Sequence, residues 1–205
     1  MIYARGLLPL QYSPILNMEM YMPTATKKDY SKSHSRKLLV VIDMQKDFVS
    51  GSLGTAEAQA VVGKVVAKVA GHKGLLAYTL DTHEKDYLET SEGKHLPVPH
   101  CIKGEEGHQL VDQLKEPLKD AMVFEKPTFG SIELATYIAE DQTITEVELV
   151  GVCTDICVVS NALLIKAMRP EIPILVDASC CAGTTPGNHE AAIKTMQSCQ
   201  IEIFS

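Results

Sequence analysis

Of the six cysteines in this 205-residue chain, Cys157 is the one placed to react. It ends the run Leu149-Val150-Gly151-Val152-Cys153-Thr154-Asp155-Ile156-Cys157, in which an apolar strand over 147–152 breaks sharply into a helix. Thr154 or Asp155 can cap that helix by accepting an early backbone N–H. Cys157 then falls in its first turn, where unpaired N–H groups and the positive dipole end favour an anion. A thiol so placed reads as a low-pKa nucleophile. The plainer reading is a small buried hydrophobe, the commoner fate of a free cysteine.

Two further residues would complete a cysteine hydrolase. A Lys126 ammonium beside the thiol would favour the thiolate. An Asp43 carboxylate would take the thiol proton and return it to a leaving amine. Asp43 and Lys126 would also pair with each other, so neither charge is buried alone. Backbone N–H groups of Cys153 and Cys157, at the strand-to-helix break, are placed to receive an oxyanion. A second group reads as a metal site. Asp81 and His83 are two apart on a strand end, and His100 returns after a loop stiffened by Pro97 and Pro99. One carboxylate with two imidazoles suits zinc, or iron or manganese, with open positions left over. Glu92 in the same loop is a fourth candidate ligand. The plain alternative is a polar loop whose histidines cap turns.

The elements that must hold these residues alternate regularly. Apolar strands are predicted at 38–42, 75–80, 121–124, 147–152, 172–176 and 201–204. Helices are predicted over the Val62–Val69 stretch, briefly around Leu110–Leu118, and at 132–139, 155–168 and 189–198, with 178–188 as loop. This βα alternation implies a three-layer α/β/α fold around a six-stranded, mainly parallel sheet. Ligands on such a sheet bind beyond the C-terminal strand ends, where the strand order reverses. Asp43, Asp81 with His83, Lys126 and Cys157 follow strands one, two, three and four. The long polar stretch 81–107 is read as a functional loop.

Composition narrows the class. A net charge of −7 argues against nucleic acid as a partner. No apolar run is long enough to span a bilayer. Without C-x-x-C pairs, the cysteines are neither a disulfide framework nor a zinc finger, which points to a reducing cytoplasm. Residues 1–36, with Pro9, Pro14, Pro23 and no periodicity, read as a flexible extension; 37–205 read as one domain.

The runs Val41-Ile42-Asp43-Met44-Gln45-Lys46-Asp47-Phe48, Asp81-Thr82-His83, Pro99-His100-Cys101, Lys126-Pro127-Thr128-Phe129 and Gly151-Val152-Cys153-Thr154-Asp155-Ile156-Cys157-Val158 resemble, in that order, the isochorismatase-like cysteine hydrolases. The Asp81, His83 and His100 set makes the chain most similar to the nicotinamidase branch. The resemblance implies a Rossmann-like hydrolase fold and an Asp43–Lys126–Cys157 triad acting through a thioester. It implies a divalent metal on Asp81, His83 and His100, joined in some members by the residue matching Glu92. The substrate would be a small amide, nicotinamide first, with its ring nitrogen on the metal directly or through water. Phe48 matches a ring packed on the substrate and Phe129 a pocket wall. A cis peptide is implied at Val152–Cys153. A homo-oligomer is allowed. Two departures stand out: no Trp or Phe stands shortly before His100, leaving Tyr87 as a substitute wall, and the aromatic expected near Ile132 is absent. Another amidase, on a carbamoyl or ureido substrate, and a non-catalytic ligand-binding relative are the competing readings.

Overall fold

The computed structural model describes residues 36–205, and the expectations for the N-terminal stretch lie outside them except at Arg36, which opens the first strand. The strands are β1 (Arg36–Ile42), β2 (Leu75–Asp81), β3 (Met122–Lys126), β4 (Ile144–Val152), β5 (Ile174–Ala182) and β6 (Glu202–Phe204). They form one sheet in the order β3-β2-β1-β4-β5-β6, with every neighbouring pair parallel. The helices are α1 (Lys46–Val49), α2 (Ala56–Gly71), α3 (Ser91–His95), α4 (Asp112–Lys115), α5 (Ile132–Glu140), α6 (Val159–Met168) and α7 (Pro186–Ser198).

β1 shows why the sheet is covered on both sides. Leu38, Val40 and Ile42 point into a core with Leu134 and Ile138 of α5 and Ala162 and Ile165 of α6. Leu39 and Val41 point into a second core with Val61, Val62, Val65 and Val69 of α2. These five β1 side chains are fully buried. Alternate residues of a strand face opposite ways, so an unbroken apolar run needs a layer on each face. Burial of each such side chain stabilises the fold by about 1.5–3 kcal/mol.

The register gathers the strand ends that carry chemistry. Ile42 pairs with Gly151, and Asp81 pairs directly with Lys126. β2 and β3 lie on one side of β1 and β4 on the other, so the order reverses between β1 and β4. Asp43 and Cys157 leave those two strands and flank the reversal, where such sheets open a crevice.

Several boundaries differ from the sequence reading. β5 runs on to Ala182, through residues expected as loop. Its register with β4 jumps from Val176↔Leu149 to Cys181↔Gly151, a bulge that hides the strand's continuation from period-2 patterning. α7 starts at Pro186, three residues early, with the Thr185 side chain accepting from Asn188 N–H; proline fits a first helical position. The expected 155–168 helix is divided into a π-helical turn over Thr154–Val158 and then α6. Neither Thr154 nor Asp155 caps that turn. Thr154 Oγ1 instead bonds His189 Nδ1 at 2.8 Å, and Asp155 accepts from Thr184 N–H at 2.8 Å and Thr184 Oγ1–H at 2.6 Å. Both side chains therefore tie the turn to the start of α7. Among the described residues, no helix is long and apolar enough to cross a membrane.

Candidate active site

Asp43 comes first off β1, with a positive φ of 47°. Non-glycine residues reach that region only with local support. Here the Thr79 hydroxyl supplies it, accepting from Asp43 N–H at 3.2 Å and donating to Asp43 Oδ1 at 2.6 Å. The other oxygen, Oδ2, meets Lys126 Nζ at 2.7 Å as an ion pair. Lys126 is almost wholly buried, and its Nζ also lies 3.5 Å from Cys157 Sγ, 3.3 Å from Asp81 Oδ1 and 3.1 Å from the Thr128 carbonyl. One buried ammonium thus touches the acid, the thiol and a carboxylate of the second group.

Cys157 sits in the π-turn, where the Cys153 carbonyl accepts from both Ile156 and Val158 N–H. The peptide Val152–Cys153 is cis, as the family resemblance implies. Gly151 precedes it with a φ of 119°, and a Cβ there would lie 2.1 Å from the Ile42 carbonyl oxygen. Glycine is required at this point both by φ and by the close approach of β1.

The charge states differ from the sequence expectation of a low-pKa thiol. Burial pushes the Cys157 thiol well up and the Asp43 carboxylate adds to it, together outweighing the opposing pull of Lys126. Asp43 is raised by burial too, with Lys126 holding it down in part. Burial works against the Lys126 charge, yet Asp43, Cys157 and Asp81 together keep it firmly protonated. Asp43 is nearer the ammonium than the sulfur is and takes the Thr79 hydrogen bond, so the geometry favours the carboxylate over the thiolate as the charged partner of Lys126.

Asp81, His83, Glu92 and His100 converge, with one ligand atom from each within 4.8 Å of all the others. His83 Nε2 lies 2.9 Å from Asp81 Oδ2 and 3.7 Å from Glu92 Oε1; His100 Nε2 lies 3.5 Å and 3.7 Å from the same atoms. His100 Nδ1 bonds the Val98 carbonyl at 2.8 Å, which makes it the N–H of the ring and leaves Nε2 a lone pair. His83 Nε2 is buried with no hydrogen-bond partner of its own. Two imidazoles and two carboxylates, with His83 Nε2 left without a directed hydrogen bond, fit a divalent metal. Burial opposes the Asp81 charge, but His100, His83 and Lys126 hold its carboxyl well below the usual range. Burial and Asp81 push Glu92 up.

The aromatic neighbours divide unevenly. Phe48 is buried with its ring 5.4 Å from that of His100. Tyr87 is buried against both histidine rings, at 4.7 Å and 5.0 Å, and its hydroxyl donates to the Leu96 carbonyl. Tyr87 therefore backs the two histidines. Phe129 is 43% exposed. Cys153 is half-buried, its thiol pushed up to about 12 by burial and by Asp155 and Asp43.

Sequence reasoning missed several supports. Gln45 is fully buried and clasps the Asp81 backbone, accepting from its N–H and donating to its carbonyl, both at 2.8 Å. Asp47 Oδ2 accepts from Cys101 N–H at 2.8 Å, next to His100. Thr79 alone carried a signal: a polar residue inside an apolar strand run.

Residues 37–205 match the model of the isochorismatase domain. The chain belongs to the isochorismatase family. Within it, the chain is 23% identical over 184 residues to a nicotinamidase/pyrazinamidase of Mycobacterium tuberculosis, covering 82% of this chain and 97% of that protein. A crystal structure of the nicotinamidase/pyrazinamidase PncA of Bacillus subtilis superposes with a TM-score of 0.73 at 26% identity, over 83% of this chain and all (100%) of that one. A pyrazinamidase of Pyrococcus horikoshii in complex with zinc gives 0.71 at 27% identity, over 83% and 99%. The six-stranded parallel sheet is the fold of these family members, whose named activities are hydrolyses of amides.

Proposed function

We propose that this chain is a metal-dependent cysteine amidase that converts nicotinamide to nicotinate and ammonia. The observation that carries the reading is Lys126: its ammonium contacts Asp43, Cys157 and Asp81 at once, so nucleophile, proton carrier and metal ligands form one buried cluster. The named activities of the family members above, and the zinc in one of them, support the same reading.

Asp43 takes the proton from Sγ as sulfur attacks the carboxamide carbon, and the C=O pair moves onto oxygen. Backbone N–H groups of Cys153 and Cys157 receive that oxyanion. Lys126 holds its charge beside both anions throughout. Asp43 then gives the proton to the amide nitrogen, the C–N bond breaks and ammonia leaves a thioester on Cys157. Asp43 next draws a proton from water as the water oxygen attacks the thioester, and the sulfur leaves with a proton restored. Asp81, His83, Glu92 and His100 would hold a divalent metal, zinc by donor type with iron or manganese as alternatives, which would take the pyridine nitrogen and so orient the carboxamide. Phe48, beside His100, is placed to pack on the ring.

A carbamoyl or ureido amide is the second reading, favoured by the aliphatic run Leu96-Pro97-Val98 before His100. Ammonia release from nicotinamide, pyrazinamide, benzamide and small ureido compounds, with and without a chelator, tests both. Turnover of nicotinamide that is lost with chelation supports the first. Faster turnover of a ureido compound, or turnover indifferent to chelation, refutes it.

A further inference from the structure

Asn161 is fully buried, one turn beyond the nucleophile, and no step of the chemistry above uses it. Its side chain makes three hydrogen bonds, all to backbone. Nδ2 donates to the Cys157 carbonyl at 2.8 Å and to the Phe129 carbonyl at 3.2 Å, and Oδ1 accepts from Ser131 N–H at 2.9 Å. Two acceptors on one side and a donor on the other fix the orientation of the amide. No other side chain of this size offers that pattern: a carboxylate would face two carbonyl oxygens, and an apolar group would leave all three backbone groups without a partner.

The segment so held is the loop between β3 and α5. Lys126 Nζ grips its near end through the Thr128 carbonyl. Gly130, in its middle, lies over Ser160 and Leu164 of α6. The loop carries Phe129, 43% exposed, and runs into α5 at Ile132. Asn161 thus binds both the nucleophile's own carbonyl and this loop.

We propose that Asn161 is a positioning and specificity-determining residue that registers the Phe129 loop against Cys157. This rests on the amidase reading only for its kinetic consequence. Without Asn161 the loop loses two of its anchors, and Phe129, the pocket wall that the family resemblance implies, loses its fixed place. A misplacement of about 1 Å costs about 100-fold in rate.

The chain has no tryptophan, so Phe129→Trp installs a sole reporter on the loop. In that background, Asn161→Asp removes the donor arm and keeps the acceptor for Ser131. Asn161→Ser keeps a hydroxyl that can reach the carbonyl four residues back, that of Cys157, but cannot reach the loop. Three quantities are read: anisotropy of the introduced indole with its acrylamide quenching, the rate of Cys157 alkylation by iodoacetamide, and kcat with KM for nicotinamide. Asn161→Ser is expected to lower the anisotropy and raise the quenching constant about twofold, and to lower kcat/KM about 100-fold, while alkylation stays within about twofold of the parent. Asn161→Asp is expected to disturb all three. If Asn161→Asp does not fold, Asn161→Ser alone decides. A folded Asn161→Ser protein with unchanged indole anisotropy and quenching overturns the proposal. Absence of nicotinamide turnover in the unsubstituted protein refutes the substrate assignment instead, and leaves the fluorescence result to decide on Asn161.

Discussion

Replacing Asp43 by Asn should make Cys157 easier to alkylate while abolishing amide turnover. Lys126 Nζ is 2.7 Å from Asp43 Oδ2 and 3.5 Å from Cys157 Sγ, so 2.7 plus 3.5 bounds the oxygen and the sulfur to about 6.2 Å. At an effective dielectric of about 20, two like charges at that separation repel by about 2.7 kcal/mol, and by more if closer. The carboxylate therefore disfavours the thiolate by about 100-fold. The sign follows from the charges: the substituted amide removes an anion, Lys126 stays, and the thiolate becomes the partner of the ammonium. At a fixed pH below the thiol midpoint, iodoacetamide should label Cys157 about 100-fold faster in Asp43→Asn, with the midpoint shifted to lower pH. Turnover should fall by at least about 100-fold, because nothing remains to carry the proton to the leaving nitrogen. The assay is peptide mass spectrometry of labelled protein over time, at several pH values, beside ammonia release. Labelling that is slower than, or equal to, that of the unsubstituted protein would place the proton on Asp43 and refute the assignment.

Cys157→Ala should abolish turnover with metal content and melting temperature unchanged, whereas Cys153→Ala should keep substantial activity, since only its backbone N–H is used; ammonia release and metal analysis check both. Removing metal with a chelator should stop nicotinamide hydrolysis yet leave Cys157 open to iodoacetamide, as the labelling assay will read. Gly151→Ala should destabilise the protein by about 1–3 kcal/mol or more, through the positive φ and the clash with Ile42, and denaturant unfolding measures it. Glu92→Gln should raise the melting temperature of the metal-free protein and lower the gain that zinc confers, as thermal scans with chelator and with zinc will show.

The sheet was legible because its strands are apolar runs between helical periods, and strand order then dictates where a site must open. The proposed triad was legible as residue types at strand ends, Asp43 after β1, Lys126 closing β3 and Cys157 after β4. Their mutual distances were not, because these depend on the β1–β4 and β2–β3 registers, and register is fixed by packing across the whole sheet. The thiol's charge state was misread for a related reason. A helix start and a lysine both favour the thiolate, but burial and a nearby carboxylate act the other way, and neither is visible in local sequence. The roles of Thr154 and Asp155 were misassigned because a π-turn opens this stretch, and their partners, His189 and Thr184, are about thirty residues on. Asn161 escaped notice because a lone polar residue in a helix usually faces water; its three partners come from a loop and a turn that only the fold brings together.

The effect expected of Glu92→Gln comes from the balance of buried charge. Two carboxylates, Asp43 and Asp81, pair with the Lys126 ammonium, and a third, Glu92, gathers with Asp81 about the two imidazoles. Lys126 reaches Asp43 at 2.7 Å and Asp81 through Oδ1 at 3.3 Å, which leaves Asp81 Oδ2 and Glu92 facing each other across the two imidazoles. Ligand atoms of those two carboxylates lie within 4.8 Å, where like charges repel by about 3.5 kcal/mol at a dielectric of about 20. Glu92 is partly exposed, so solvent screens this to about 1 kcal/mol. In the metal-free protein that repulsion is uncompensated, and the neutral amide of Gln removes it. With a divalent cation bound, three carboxylates face an ammonium and two positive charges, and the pocket is neutral. Glu92 is then an asset, and its loss weakens the cation's hold. A Glu92→Gln protein that is less stable without metal, or that gains as much from zinc as the unsubstituted chain, would show that Glu92 stands outside the metal site.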